Sequence, residues 1–356
     1  MPRCGGAVRL SPRCGLDVRA DQRKNIKMQA NDKQSKIITG LTAIALVAMI
    51  AAYFAPIWWV ALTAPNYPKD AFPQGIRIHF HFDGVYNGCS VAGSGSRTQA
   101  EVIQQDLDEK VERYNPILDA KKDVNKGAEG LDCVHEMNTI NHYVGMFPIS
   151  TGAPVEKPLA KFFFGFFTVM LFGFMVPEGR KKQRLLVLSA GFAAVAGWML
   201  VDQYVVGHLE AHIQSYTHAA AAFFNEPEKI ARWGDTVRSV SHVAIAGLIA
   251  AMAIVVAGVA MFPSFSLLLA LVPALLPLFF VITYAGWLWF FGHNLHPWGA
   301  FTVHPFMPTV FGEGKVAQFS TYSYPYWGYG LLVVVFVCLM LALLMRRKQM
   351  REQGGA

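Results

Sequence analysis

The sequence predicts an all-α integral membrane protein: six transmembrane helices, both termini cytoplasmic, and a small α+β periplasmic domain inserted between helices 1 and 2. Three observations predict it. Of 356 residues, 53% are hydrophobic and only 15% charged, with a mean hydropathy of +0.32, where soluble domains carry about 25% charged residues. The apolar residues arrive in six blocks, each near the roughly 20 residues of helix that cross a bilayer core about 30 Å thick. Basic residues gather in alternate connections, which is the pattern that sets orientation. This composition excludes a free cytoplasmic enzyme, and 13% aromatic content excludes a disordered chain.

The elements follow in order. Residues 1–36 form a cytoplasmic N-terminal segment. Within it, residues 1–27 are polar and Arg-rich, with Cys4 and Cys14 and no apolar core of a signal peptide. They read as an upstream start or a disordered lead, and Met28 opens a compact polar run into the first span, residues 37–62. The second span, 160–176, is the shortest, and its run Phe162, Phe163, Phe164, Phe166 and Phe167 compensates. Spans at 185–206, 239–262, 265–290 and 326–345 complete the set, with a cytoplasmic tail at 346–356. The fourth and fifth are joined by only Pro263 and Ser264, which predicts a tight helical hairpin. Pro273 and Pro277 fall inside the fifth, where neighbouring helices can satisfy the freed carbonyls.

On the predicted cytoplasmic side there are 17 Lys/Arg against 5 Asp/Glu; on the other side there are 14 against 19. The basic excess, pI about 9.1, is therefore a consequence of topology, and nucleic acid is not an expected partner. All 11 histidines fall on the predicted outer side, with only His242 inside a span, about one turn below the surface. Imidazoles are costly in hydrocarbon and cheap in loops, yet the cytoplasmic segments hold none. This asymmetry points to chemistry on the outer face.

The outer segments are 63–159, the His-rich loop 207–238, and the loop 291–325. The first is long enough for a small domain. Gly75 to Phe82 alternates as a β-strand, with Ile76, Ile78, Phe80 and Phe82 on one face and Arg77, His79 and His81 on the other. A Gly/Ser loop surrounds Ser94, Gly95 and Ser96, and residues 100–125 carry the pattern of an exposed amphipathic helix. Cys89 and Cys133 are the only outer cysteines; in an oxidising periplasm such a pair reads as a disulfide ahead of a copper thiolate pair.

Three groups of residues are candidates for chemistry. His135, Met137, His142 and Met146 lie within 12 residues, and thioether with imidazole suits Cu(I); the alternative is that the methionines pack and His142 caps a turn. Asp202, His208 and His212 form a second metal candidate, His208 and His212 being i, i+4 on one helical face. With His242, the histidines His208 and His212 also suit a haem b clamped between helices, while the absence of Cys-x-x-Cys-His excludes covalent haem. His293, His296, His304 and Met307 mark the last loop; Trp287, Trp289, Trp298, Tyr324, Tyr326, Trp327 and Tyr329 read as interfacial belts.

Pro56-Ile57-Trp58 with Ala64-Pro65-Asn66-Tyr67-Pro68, the run Asn141-His142-Tyr143-Val144-Gly145-Met146, and Lys315 to Phe319 leading to Ser323-Tyr324-Pro325-Tyr326-Trp327-Gly328-Tyr329-Gly330 together resemble a family of bacterial inner-membrane proteins often encoded beside maturation genes for nitrous-oxide reductase. The resemblance implies a context rather than an activity: a periplasmic copper enzyme and its assembly or electron supply. His142 and Met146 fall in the shared motif. The expectation is an accessory protein, more a donor than a catalyst, that binds copper at its periplasmic face and serves such an enzyme or its maturation proteins. The alternatives are a membrane redox subunit with haem b or a quinol site, or a subunit of a copper-dependent membrane oxygenase.

Overall fold

The computed structural model describes residues 12–65, 67, 72–89, 132–149, 152–222, 224–297, 299–300, 303–316 and 318–354, with side chains from residue 32 onward. The expected Gly/Ser loop and the helix at 100–125 lie outside these residues. Helix α1 spans Pro12–Phe54, so residues 12–27, expected as a disordered lead, continue the helix of the first span. There follow β1 (Trp58–Thr63), β2 (Ile76–Phe80), β3 (Val85–Asn87) and α2 (Cys133–Tyr143). Helices α3 (Glu156–Met175), α4 (Lys181–Leu200, continued by a π turn Val201–Val205), α5 (His208–Ala221) and α6 (Pro227–Met261) come next. A 3₁₀ turn (Pro263–Leu267), α7 (Leu268–Ala274), α8 (Leu276–His293), β4 (Gly312–Val316), β5 (Phe319–Pro325) and α9 (Trp327–Gly354) close the chain.

Six of these helices are long and apolar enough to cross a membrane, and the chain is a multi-pass membrane protein. Val47, Leu186, Val243, Ile254 and Ile282 face outward, as lipid-facing residues must, because apolar surface is normally withdrawn from water. Inside, α1 packs along α9 through small and branched residues, Ala45, Met49 and Ala52 against Leu332, Val335, Leu339 and Ala342, all fully buried.

Four expectations are corrected. The first apolar run is not helical to Leu62: α1 ends at Phe54, and Trp58–Thr63 is the central strand of a sheet ordered β3-β2-β1-β5-β4. This strand is paired along both edges, and its run Trp58-Trp59-Val60-Ala61-Leu62 is apolar on both faces, so it carries no alternation and mimics a helix. The small domain is therefore not an insert between two spans. Its sheet is closed by β4 and β5 from the far end of the chain, expected as a loop, with β1 and β5 antiparallel from Trp58↔Pro325 to Thr63↔Ser320. Finally, the fifth span is broken. Pro277 has no N–H to offer the Pro273 carbonyl, α7 stops at Ala274, and α8 starts afresh. Segment 207–238, expected as a loop, holds α5 and the first turns of α6.

The sheet sits at one end of the bundle, where α1, α4 and α8 finish and α3, α6 and α9 begin. Helix α2 covers it, Met137 and Ile140 packing on Leu62, Ile76 and Ile78. The Asp132 carboxylate caps α2 by accepting from the Val134 and His135 amides, and Cys89 and Cys133 are joined as a disulfide. Trp58 Nε1 donates to Ser323 Oγ at 2.8 Å, and Tyr326 N to Ile57 O at 2.9 Å. The His296 amide donates to Gly145 O at 2.7 Å; Gly145 has φ +81°, and a Cβ there would meet His296 O at 2.5 Å. Glycine is required at that approach.

The opposite end is held by charge. Arg184 Nε and Nη2 donate to Gly173 O and Val176 O, at the end of α3, and its guanidinium also bonds both oxygens of Glu178. Arg346 Nη2 donates to Phe174 O at 2.8 Å, with Nε 4.0 Å from Glu178 Oε1. Two α3 carbonyls that no helix turn can satisfy, those of Gly173 and Phe174, are thus bonded by two buried arginines.

Candidate functional site

Between α3, α6, α8 and the β2–β3 hairpin lies a cavity of about 560 Å³. On α3 its wall runs from Glu156 to Phe167, and on α8 from Leu276 to Phe291. At a rise of about 1.5 Å per residue these walls are about 16 and 22 Å long. The walls are apolar, with Phe163, Phe164, Phe166 and Phe167 on α3 and Phe279 and Phe280 on α8. Polar groups gather at the sheet end: His81, Asn141, Glu156 and Lys157.

The break at Pro273 and Pro277 creates this space. Helix α7 is buried in the bundle, with Leu269, Ala270 and Ala274 fully covered. After the break, α8 packs chiefly on α9 and meets α6 at the sheet end, where Phe290 stacks on Trp233 at 5.3 Å. Small residues of α6, Ala244, Gly247 and Ala251, form the facing wall, and a Cβ on Gly247 would meet nothing within 4 Å.

At the sheet end, Trp287 Nε1 donates to Glu156 Oε2 at 2.8 Å. The carboxylate lies beside the backbone amides of Val155 and Glu156, at the start of α3, where the helix dipole favours an anion. Lys157 runs over Gly84 and Gly152 toward Asp83. Tyr284 fixes α8 to the sheet. Ser323 Oγ gives its single proton to Val310 O, so Tyr284 OH, 3.3 Å away, is the donor to Ser323 Oγ, alongside Trp58 Nε1. A smaller cavity of about 90 Å³ shares Phe80, Asn141, Met146, Ile149, Tyr284 and Leu288 with the first.

The residues named as metal or haem candidates are dispersed. Met137 and Met146 are buried and both line the smaller cavity. His135 is exposed, and the His142 ring lies 5.4 Å from the Phe224 ring. Asp202 sits on the π turn, bonded by Lys161 Nζ at 2.8 Å, Gln203 Nε2 at 2.7 Å and His208 Nδ1 at 2.9 Å. His212, one turn beyond His208, turns to Pro154 O at 2.9 Å, and His242 bonds Tyr204 OH at 2.7 Å. Spacing of i, i+4 makes two side chains neighbours but does not make them converge. Among the described residues no three His, Cys, Asp or Glu are grouped to hold a metal ion. His296 stacks on Phe224 at 4.1 Å, beside Glu226.

Sequence reasoning missed Glu156 and took Trp287 as a belt residue. The available signal was a carboxylate placed directly before the aromatic run of the second span.

Burial holds four histidines at the sheet end below the ordinary imidazole range. Burial pushes His79 down to about 4, helped by the Arg77 and His81 charges beside it. Burial also lowers His81, His212 and His296, against the opposing pull of Asp83, Pro154 O and Glu226 respectively. The unfolded chain therefore binds more protons than the folded one between pH 4 and 6.5, and stability contributed above pH 6.5 is lost as the pH falls. A thermal midpoint that drops from pH 7 to pH 5, and drops less in His79→Gln, is the expected result.

No family model matches the chain, and no curated protein or solved structure is found similar to it.

Proposed function

We propose that this chain is an inner-membrane protein that takes a long-chain amphiphile from the bilayer into the cavity between α3, α6 and α8, with the sheet end facing the periplasm. One observation carries the reading: a cavity of about 560 Å³ with largely apolar walls along the spans and its ionisable groups His81, Glu156 and Lys157 at one end. Binding sites of that size and lining suit small molecules, and this one runs with the lipid chains. The orientation is supported by the Cys89–Cys133 disulfide at the sheet end, which an oxidising compartment favours, and by the basic residues of the opposite end. Bound amphiphile near the periplasmic surface fits the electron-supply side of the context that the motif resemblance implies.

The test is extraction of the purified full chain with identification of retained lipid by mass spectrometry. Wild type is expected to retain one amphiphile. Gly247→Leu should lose it while folding normally, since leucine fills open space and improves the helix by about 0.8 kcal/mol. Equal retention in both proteins refutes the site.

A second reading, copper accessory, keeps one favourable observation: Met137 and Met146 line a single cavity beside Asn141, and paired thioethers select Cu(I). Under reducing conditions it predicts copper uptake by wild type that falls in Met137→Leu/Met146→Leu. Uptake unchanged by the double substitution removes these methionines as ligands.

A further inference from the structure

We infer that the amphiphile belongs to the membrane quinol class, a neutral lipid with a hydroxylated aromatic ring as its head, and that it enters sideways between α6 and α8. The inference rests on the ligand-binding reading above and adds the ligand's chemistry and route.

The head-group end of the cavity selects against phosphate. Its charged groups are Glu156, Lys157 and, behind Lys157, Asp83. One ammonium stands against two carboxylates there, so an incoming phosphate would meet the Glu156 carboxylate in surroundings of low dielectric, where repulsion between like charges is strong. That carboxylate accepts one hydrogen bond from Trp287, beside the backbone amides of Val155 and Glu156, and has about four acceptor positions in all. What it can still take is a donor, such as a hydroxyl. Aromatic faces surround the same place. Trp287 and Phe291 stack at 5.5 Å, and Phe147 lies 6.2 Å from Phe291, an arrangement suited to a flat ring.

The route follows from what does not pack. Helices α6 and α8 meet at the sheet end, where Trp233 stacks on Phe290 at 5.3 Å, and beyond that contact they face each other across the cavity. Gly247 and Ala251 keep the α6 side low, and Ile254 and Ile282 on the same two helices already face outward. The cavity's length along α8, about 22 Å, exceeds half of a bilayer core about 30 Å thick, so a chain lying in it stays among the lipid chains throughout.

The experiment uses the full chain in phosphatidylcholine nanodiscs and two photoreactive, clickable probes, a hydroquinone with a decyl tail and a phosphatidylglycerol, with labelled peptides mapped by mass spectrometry. The hydroquinone is expected to label the cavity-facing peptides of α3 and α8. Glu156→Leu should lower that labelling about tenfold, the loss expected for one hydrogen bond to a charged acceptor, and Gly247→Leu should abolish it. If Glu156→Leu does not fold, Glu156→Gln retains the shape and removes the charge, and lowered labelling is again the expected result. Phosphatidylglycerol should label only outward-facing peptides. Cavity labelling by phosphatidylglycerol equal to that by hydroquinone, or hydroquinone labelling indifferent to Glu156, overturns the head-group assignment and leaves amphiphile binding in place. If both probes label the outward faces and neither labels the cavity, the binding reading falls as well.

Discussion

Glu178→Ala should leave no stably folded protein. The carboxylate is the partner of Arg184 through both oxygens and lies against Arg346, and both guanidinium side chains are almost wholly buried. Removing one member of a buried pair leaves uncompensated charge and costs about 3–5 kcal/mol, and here one deletion strands two cations. The damage also spreads along the chain. Arg184 and Arg346 satisfy the Gly173, Phe174 and Val176 carbonyls only while they are held in place, so the end of α3 and its contact with α9 loosen together. Yield of monodisperse protein in detergent, and its thermal midpoint, measure the effect. Glu178→Gln keeps the shape, and is expected to lie between wild type and alanine.

The double substitution Cys89→Ser/Cys133→Ser is expected to weaken the sheet end by about 4 kcal/mol, on the chain-entropy account of a loop closed over a separation of 44 residues. The bridge fastens the start of α2 to the strand side of the sheet, and Cys133 is fully buried beneath it. Without it, Met137 and Ile140 can leave Leu62, Ile76 and Ile78, and the wall that Asn141 and Met146 give to both cavities goes with them. Limited proteolysis checks this: cleavage between α2 and α3 should speed up in the serine variant or under reductant, with the spans still protected. Unchanged cleavage would show that packing alone holds α2.

What the sequence made legible were properties written in a single stretch of chain. Apolar length revealed the spans, strict alternation from Ile76 to Phe80 revealed β2, and two lone cysteines revealed their bond. Properties that depend on distant partners stayed hidden. Trp58–Thr63 looked like the end of a helix because its apolar residues do not alternate, and its partners are β2 on one edge and β5, from some 260 residues away, on the other. In the alternation Phe319, Thr321, Ser323 against Ser320, Tyr322, Tyr324, only Tyr324 drew a reading, as a belt residue, because the partner strand lies in a run assigned to the membrane. The prolines of the fifth span were noticed, yet their consequence, the displacement of α8 and the space it leaves, is a lack of packing that hydropathy does not record. The histidines illustrate the converse. Their gathering in one part of the sequence suggested a shared ligand, whereas His208, His212 and His242 each turn to a different partner.

A cryo-EM map of the full chain in a lipid nanodisc tests the central claim most directly. Elongated density lying between α6 and α8, with its wider end beside Glu156 and Trp287, is the predicted result. A map in which α6 and α8 close on each other and side chains fill the space between them would contradict the account.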